Sequence, residues 1–373
     1  MGASGLSRQV ADILAVADVK INGPDPWDLQ VHDERFYGRV LGQGTLGLGE
    51  SYMDGWWDCE RIDEFAFRVL KADLYKHAEL GWRAWVKMLL AKVLNMQAKG
   101  KAARNAQRHY DIGNRLYQLM LDKRMTYSCG YWKNADNLDQ AQENKLDLIC
   151  RKIRLQPGQR VLDIGCGWGS FAKFAAEKYG AEVVGVTVSR EQAALGREMC
   201  QGLPVEIRLQ DYRDVQEQFD HVVSVGMIEH VGYRNYRTYM QTAARCLRDD
   251  GLFLLHTIGG NFSRTSSDPF TNTYIFPNSL LPSIKQLGAA TEKIFFMEDW
   301  HNFGPYYDPT LMAWFQNFDS NWEQLQGEYG ERFYRMWKYY LLSSAGSFRS
   351  RNNQLWQIVL TKKRIVGGYE PVR

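Results

Sequence analysis

The feature that most constrains the fold is an alternation of apolar runs with helical patterns between residues 160 and 257. Apolar runs that predict strands lie at 160–164, 181–188, 205–209, 221–225 and 252–257. Helical patterns lie at 168–178, 190–200 and 236–247. Because strands that alternate with helices need right-handed crossovers, we predict an α/β fold with a parallel, doubly wound sheet. Later segments predict strands at 294–297 and 355–361 and two aromatic helices between 308 and 346.

A glycine-rich turn directly follows the first predicted strand. Gly165, Gly167 and Gly169 have the spacing GxGxG, whereas dinucleotide-binding turns have GxGxxG. Asp163 precedes the turn, and a carboxylate there attracts an ammonium group but repels a pyrophosphate. Ligands of such sheets bind at the carboxyl ends of the strands. The turn therefore predicts a site for S-adenosylmethionine, with Asp163 binding the amino group of its methionine part.

Polar residues follow the next two predicted strands at the same edge of the sheet. A nicotinamide enzyme would usually carry an acid at the second strand end, where this chain has Thr187. After the second strand, we interpret three residues as ribose contacts, namely Thr187, Ser189 and Gln192. After the third strand, we interpret three residues as adenine contacts, namely Gln210, Asp211 and Tyr212.

The region before residue 111 has a different character. Residues 41–50 are rich in glycine and are predicted to form turns, followed by the aromatic residues Tyr52, Trp56 and Trp57. Residues 81–110 carry lysines, arginines and apolar side chains but no acid. Such a segment is typical of a basic amphipathic helix on an anionic membrane, and a linker helix packed on a neighbouring domain is the alternative.

Charge and cysteine content exclude several classes of protein. The net charge of +3 does not favour a nucleic-acid partner. The six cysteines lack CxxC spacing, which argues against a zinc cage or a disulfide framework. Without a signal-peptide pattern or an apolar run of membrane-spanning length, we expect a cytoplasmic protein that can lie on a membrane surface.

Two further polar residues lie at predicted strand ends. Glu229 follows the fourth strand and His256 ends the fifth, so both are candidates for the ligand edge. Taken alone, His256 could be a structural histidine and Cys129 a core residue. The spacing of Glu229, His230 and His256 matches no metal-ligand motif, and we expect no metal.

The order of several motifs along nearly the whole chain resembles the bacterial cyclopropane-fatty-acyl-phospholipid synthases, within the class I S-adenosylmethionine methyltransferases. The motifs are residues 46–57, 109–111, 127–129, 163–169, 226–232, 256–259 and 299–304. The resemblance implies transfer of a methylene from S-adenosylmethionine across the double bond of an unsaturated phospholipid acyl chain. It also implies a homodimer and a smaller, mainly helical N-terminal domain that binds lipid.

The resemblance assigns further site residues. It adds Tyr127, Ser128 and Cys166 to the S-adenosylmethionine site. It further implies a bound bicarbonate ion that acts as the general base. The residues that it places around this ion are Cys129, Glu229, His256, Ile258 and Tyr307.

These observations predict three regions and leave rival functions open. We predict a lipid-docking domain at 1–80, a basic linker at 81–110 and a catalytic domain at 111–373. The protein would bind the inner surface of a phospholipid bilayer. The rivals are a methyltransferase that adds a methyl branch without ring closure, one that acts on an amine or on RNA, and a non-catalytic lipid-binding protein.

Overall fold

The computed structural model describes residues 3–73 and 113–373. The predicted basic helix at 81–110 and the motif at 109–111 lie outside these residues. Contacts group the chain into two compact units. The first unit comprises the described residues of Met1–Met120, Ser267–Asn278 and Leu311–Asn352. The second comprises Leu121–Ser266, Ser279–Thr310 and Asn353–Arg373.

The first unit is mainly helical. Its N-terminal part contains helices α1 (Ala3–Ala15), α2 (Arg35–Gln43), α3 (Thr45–Met53) and α4 (Ile62–Lys71), with strands β1 (Gln30–Val31) and β2 (Trp57–Asp58). The antiparallel pair β1 and β2 forms a small sheet. The rest of the unit contains α5 (Asn114–Met120), α10 (Pro269–Tyr274), most of α12 (Tyr307–Ser320) and α13 (Glu331–Arg349).

The glycines at 41–50 do not form a run of turns, and this prediction was wrong. Only Gly44, with a φ of +60°, breaks the chain between α2 and α3. A Cβ on Gly47 would lie 2.3 Å from the carbonyl oxygen of Arg39, and one on Gly49 would lie 2.2 Å from the ring of Phe270. These two glycines therefore permit close helix packing rather than chain reversal.

Trp57 belongs to the core of the first unit. Its exposed fraction is 0%, and its indole N–H donates to the carbonyl oxygen of Leu48 and to Ser51 Oγ. Trp56 lies beneath the guanidinium groups of Arg35 and Arg39. Trp57 is therefore a core residue of this unit, because its ring is already buried in protein.

The compact units do not follow the order of the chain. Residues 267–278 and 311–352 fall within the predicted catalytic region 111–373, yet they pack with the N-terminal helices. Helix α13 approaches α4 closely at Gly346, where a Cβ would lie 2.4 Å from the carbonyl oxygen of Asp63. One turn later Arg349 forms an ion pair with the same Asp63 at 2.8 Å.

The second unit is built on a seven-stranded sheet in the order β5-β4-β3-β6-β7-β9-β8. The strands are β3 (Arg160–Ile164), β4 (Glu182–Thr187), β5 (Val205–Leu209), β6 (Phe219–Val225), β7 (Leu247–Gly259), β8 (Phe296–Asn302) and β9 (Gln354–Thr361). The first five of these pair in parallel, and β9 lies antiparallel between β7 and β8. The predicted order of strands and helices is confirmed, although the strand predicted at 294–297 begins later and extends to Asn302.

Helices cover both faces of this sheet. They are α6 (Leu138–Lys152), α7 (Ser170–Tyr179), α8 (Arg190–Met199), α9 (Tyr236–Cys246) and α11 (Ile284–Thr291). Alternate residues along β3 enter different cores: Leu162 packs in the cluster with α9 and α11, and Val161 in the cluster with α6, α7 and α8. The α/β, doubly wound class predicted from the sequence is therefore confirmed. Within the described residues, no helix is long and apolar enough to span a bilayer.

Candidate active site

The glycine turn connects β3 to α7 at the carboxyl end of the sheet. Gly165, Gly167 and Gly169 all have positive φ angles, of +80°, +55° and +83°. The N–H groups of Gly165 and Cys166 donate to the carbonyl oxygen of Val186 and tie the turn to β4. A Cβ on Gly167 would meet no atom within 4 Å, so the backbone is open there to a ligand.

Asp163 lies at the end of β3 and is only 2% exposed. Burial raises the pKa of its carboxyl group to about 7, although the ammonium of Lys145 opposes this shift. A buried carboxylate of this kind is stabilised by a cationic partner. The amino group of a methionine moiety would supply such a cation, so the residue fits the predicted ligand.

Lys145 is a polar residue of this region that the sequence analysis missed. It is fully buried on α6, its Nζ donates to Ser128 Oγ at 2.8 Å, and burial lowers its pKa to about 8. From the same helix, Gln142 donates to the carbonyl oxygen of Ser128 at 2.7 Å. Both lie on the apolar face of α6, and polar residues at those positions were the signal that could have found them. They hold the segment that carries Ser128 and its neighbour Tyr127.

The next two strand ends carry their predicted polar residues. Thr187 Oγ1 donates to Gln192 Oε1 at 2.9 Å, and Ser189 Oγ accepts the N–H of Gln192 and so caps α8. At the following strand end, Gln210 N–H donates to the carbonyl oxygen of Thr187. Thus β4 and β5 end side by side, as the prediction of a shared nucleoside site requires.

Asp211 and Tyr212 have structural partners of their own. The Asp211 carboxylate accepts hydrogen bonds from the guanidinium of Arg213. Tyr212 is 9% exposed, and its ring packs on Tyr239 with the ring centroids 5.4 Å apart. These contacts fix both residues beside the end of β5.

Glu229 is buried just beyond β6 in a short 3-10 turn (Ile228–His230). Its Oε1 accepts the N–H of Ile258 at 2.7 Å, whereas Oε2 is buried with no hydrogen-bond partner among the described residues. Burial raises the pKa of this carboxyl group to about 7. The structure therefore joins the predicted residues Glu229 and Ile258 directly, and it leaves one carboxyl oxygen for a ligand.

His256 lies near the end of β7 and is 1% exposed. Burial holds its pKa well below the usual value, so the ring is neutral. The side-chain amide of Gln357 lies 3.3 Å from Nδ1. In the tautomer in which Nδ1 accepts a hydrogen bond from this amide, the proton of the neutral ring is on Nε2. Nε2 is buried and has no partner among the described residues, so in that tautomer it is a free donor.

Cys129 contacts the helix that Tyr307 begins. The Cys129 thiol is fully buried, and burial raises its pKa. Thr310 lies one turn after Tyr307 on α12, and its Oγ1 lies 3.9 Å from Cys129 Sγ and accepts the N–H of Gly130. Tyr307 is itself 8% exposed. The segment of Cys129 and the start of α12 are therefore packed together.

Aromatic rings connect this segment to His256. The ring of Phe303 lies 5.8 Å from that of His256 and 5.3 Å from that of Tyr131, which also contacts Tyr306 at 5.3 Å. Tyr131 follows Cys129 by two residues. Tyr131, Phe303 and Tyr306 thus form an aromatic wall that contacts the predicted catalytic histidine through Phe303.

Comparison with known proteins identifies the family. The family model described as mycolic acid cyclopropane synthetase matches residues 97–358. The cyclopropane-fatty-acyl-phospholipid synthase of Escherichia coli (strain K12) is 50% identical over 355 residues, which cover 95% of this chain and 93% of that protein. The chain belongs to the mycolic acid cyclopropane synthetase family.

Two further comparisons are consistent with this family. A probable fatty acid methyltransferase of Pseudomonas putida is 38% identical over 275 residues, covering 70% of each chain. The crystal structure of the mycolic acid cyclopropane synthase CmaA1, complexed with SAH and CTAB, matches with a TM-score of 0.64 and 33% identity. It covers 69% of this chain and 98% of that one. The protein is thus an S-adenosylmethionine-dependent methyltransferase with the class I fold, as predicted.

Proposed function

We propose that this enzyme transfers a methylene group from S-adenosylmethionine to the cis double bond of unsaturated phospholipid acyl chains. The observation that carries the proposal is the 50% identity, over 95% of the chain, to a cyclopropane-fatty-acyl-phospholipid synthase. Glu229 Oε2 and His256 Nε2 support it, because both are buried without a partner in the described part of the chain and offer a polar ligand site next to the aromatic wall.

The reaction needs positioning more than strong nucleophiles. The π electrons of the alkene form a bond to the methyl carbon of the sulfonium while the S–CH₃ bond breaks, which leaves S-adenosylhomocysteine and a carbocation on the acyl chain. Loss of one proton from the new methyl group closes the ring. Holding the alkene against the methyl group lowers the entropic barrier. The electron-rich faces of Tyr131, Phe303 and Tyr306 would stabilise the cation.

The donor would lie along the carboxyl ends of β3, β4 and β5. Asp163 would bind the amino group of the methionine part, the turn at Gly165, Cys166, Gly167 and Gly169 would approach it through its backbone, and Tyr127 and Ser128 would contact it from the segment held by Lys145. The ribose and adenine contacts would come from Thr187, Ser189, Gln192, Gln210, Asp211 and Tyr212.

The residues around His256 fit a bicarbonate ion. Neutral His256 donates from Nε2, and Glu229 can either donate when protonated or accept a bicarbonate O–H when ionised. Bound there with help from Tyr307, bicarbonate would supply the base for the final deprotonation. Ile258 would act by orienting Glu229. Cys129, as a protonated thiol, would line the site without capturing the cation.

The partner would be a phospholipid bilayer, because the acyl chains of the proposed substrate lie within it. We infer that the protein works as a homodimer on the cytoplasmic surface of the inner membrane, without nucleic acid, and that residues 81–110 contribute basic contacts to anionic lipid. Each lysine or arginine near such a surface contributes roughly 1 kcal/mol of binding free energy, so several of them together would hold the protein there reversibly.

The test of this function is incubation with S-adenosylmethionine and vesicles of cis-unsaturated phospholipid, followed by mass spectrometry and alkene quantification. A gain of one CH₂ with loss of the double bond and formation of a ring supports the proposal. A gain without a ring would favour methyl branching, a function suggested by the 38% identity to a probable fatty acid methyltransferase. Unchanged lipid would refute both.

The role of bicarbonate has a separate test. Carbonate-free buffer should slow the enzyme, and added bicarbonate should restore the rate. A His256→Ala variant should lose this rescue while S-adenosylhomocysteine binding is retained. Full activity of the wild-type enzyme in carbonate-free buffer would contradict the assignment.

A further inference from the structure

The loop that leaves the catalytic end of β7 exposes a large aromatic side chain. Phe262 is 74% exposed, although phenylalanine is usually buried in soluble proteins. It follows Ile258, whose N–H binds Glu229, by four residues, so it lies within roughly 14 Å of that backbone group. The ring is therefore both accessible and close to the proposed reaction centre.

Hydrogen bonds join this loop to the start of α11. Ser263 Oγ lies 2.7 Å from Ser283 Oγ, Gly260 N–H donates to the carbonyl oxygen of Pro282, and Gln286 donates to the carbonyl oxygen of Arg264. Ile284, the first residue of α11, is 49% exposed. The loop and the helix start consequently present Phe262 and Ile284 on one surface.

The charge of this surface is positive. Arg264 and Lys285 are exposed, and they follow Phe262 by two residues and Ile284 by one residue. Residues 256–267 and 279–291 contain no aspartate or glutamate. We call Phe262, Arg264, Ile284 and Lys285 the loop patch. Exposed apolar groups flanked only by cations complement a bilayer, whose anionic head groups lie over its hydrocarbon.

We propose that the loop patch docks the catalytic unit on anionic phospholipid, with Phe262 and Ile284 entering the interface between head groups and acyl chains. This proposal rests on the proposed function, because an acyl double bond lies within the hydrocarbon of the bilayer. Docking at this patch brings the carboxyl end of β7 to the membrane. The patch is separate from residues 81–110.

The opposite end of the same sheet offers a matched control. Phe296 on β8 is 43% exposed, and Arg364 lies over its ring. Thr361 on β9 pairs with Phe296 on one side and with Leu252 of β7 on the other. Leu252 lies six residues before Ile258 on β7, so about 20 Å of strand separates the level of Phe296 from Ile258. The control thus has the same kinds of side chain, an exposed phenylalanine and a cation, at the end of the sheet opposite the loop patch.

The first experiment reports contact directly. All six native cysteines are buried, so a new cysteine at an exposed position reacts selectively with a polarity-sensitive fluorophore. The label on Phe262→Cys should shift to the blue with phosphatidylglycerol vesicles and shift far less with phosphatidylcholine vesicles. The label on Phe296→Cys should not shift. Equal shifts at both positions, or none at position 262, would overturn the proposal.

The second experiment tests the charges. Arg264→Gln combined with Lys285→Gln should weaken the affinity for phosphatidylglycerol vesicles, measured by co-sedimentation, by roughly 25-fold, since each cation contributes about fivefold. Arg364→Gln should leave this affinity within about twofold of the wild-type value. If the paired variant binds vesicles like the wild type, electrostatic docking at the loop patch is excluded.

Activity measurements separate this proposal from the proposed function. Phe262→Asp should lose at least about tenfold in rate on phosphatidylglycerol vesicles, as expected for a charge placed in the interface. It should retain the wild-type rate on the same lipid dispersed in detergent, and its S-adenosylhomocysteine affinity should not change. A wild-type enzyme that makes no ring in either medium contradicts the proposed function alone. If Phe262→Asp instead changes the sedimentation coefficient without affecting vesicle binding, the patch contacts a second copy of the chain and the docking proposal fails.

Discussion

At the scale of the residue, the site depends on polar groups whose partners come from distant parts of the sequence. Glu229 accepts the N–H of Ile258 with one oxygen, and its other oxygen has no partner in residues 3–73 and 113–373. His256 contacts Gln357 on the neighbouring strand. Burial keeps the imidazole neutral and the carboxyl partly protonated near neutral pH. These protonation states supply hydrogen-bond donors for a small oxyanion.

Glu229 gives a prediction for stability against pH. Its pKa is raised from 4.5 to about 7 in the folded protein, so between these values the folded state holds a proton that the unfolded state has released. The contribution of the protonated group is therefore present below pH 4.5 and is lost as the pH rises through about 7. Relative to Glu229→Gln, the wild type should lose roughly 3 kcal/mol of unfolding free energy across this range. Urea denaturation at several pH values measures the difference, and a constant difference would contradict the assignment.

Lys145 gives a prediction for cofactor affinity. Lys145→Met removes the charged donor to Ser128 but preserves most of the buried volume, so S-adenosylhomocysteine should bind at least about tenfold more weakly by calorimetry. Lys152→Met is the matched control, because this lysine is also fully buried on α6 but contacts His301 and Asp299 instead. Equal weakening in both variants would show that general destabilisation of α6 is the cause.

At the scale of the element, packing decides how glycines are used. The run at 41–50 has the composition of turns, yet Gly47 and Gly49 lie inside α3, where larger residues would collide with Arg39 and Phe270. Composition alone does not distinguish a glycine that reverses the chain from one that permits close approach, because both require only the missing Cβ.

The two helices α2 and α3 provide a pair of variants for this point. Gly49→Ala should destabilise the protein by roughly 1–3 kcal/mol, because the new methyl group overlaps the ring of Phe270. Gly42→Ala on α2 meets no atom within 4 Å, and it should stabilise the protein by up to about 1 kcal/mol through helix propensity. Thermal unfolding measures both, and equal melting temperatures would refute the packing role of Gly49.

At the scale of the whole molecule, the N-terminal helices complete a core that later segments also build. Tyr339 on α13 contacts Tyr52 and Trp57, with ring centroids 5.8 Å and 6.3 Å apart, and it also contacts Phe270. Three separate stretches of chain therefore form one compact unit. The region that the sequence assigns to catalysis supplies part of it.

A chain that begins at residue 113 tests this organisation. Without α2, α3 and α4, the rings around Tyr339 lose their cover, and each uncovered large apolar side chain costs roughly 1.5–3 kcal/mol. The shortened protein should aggregate or melt at a clearly lower temperature than the full chain. Soluble protein with an unchanged melting temperature would show that residues 113–373 fold without the N-terminal helices.

The sequence by itself determined the order of strands and helices, the glycine turn and the candidates at the strand ends. Hydrophobic periodicity and the residue types of turns are local properties, so they can be read from the sequence. The strand-end candidates follow because the carboxyl ends of parallel strands lie at one edge of the sheet. Only the tertiary structure decided that Glu229 binds Ile258, that Lys145 holds Ser128 and that Trp57 is buried. It also placed β9 between β7 and β8 and brought residues 311–352 to the N-terminal helices. The reason is physical: these contacts join residues far apart in the chain, and local periodicity carries no information about which distant surface covers an apolar face.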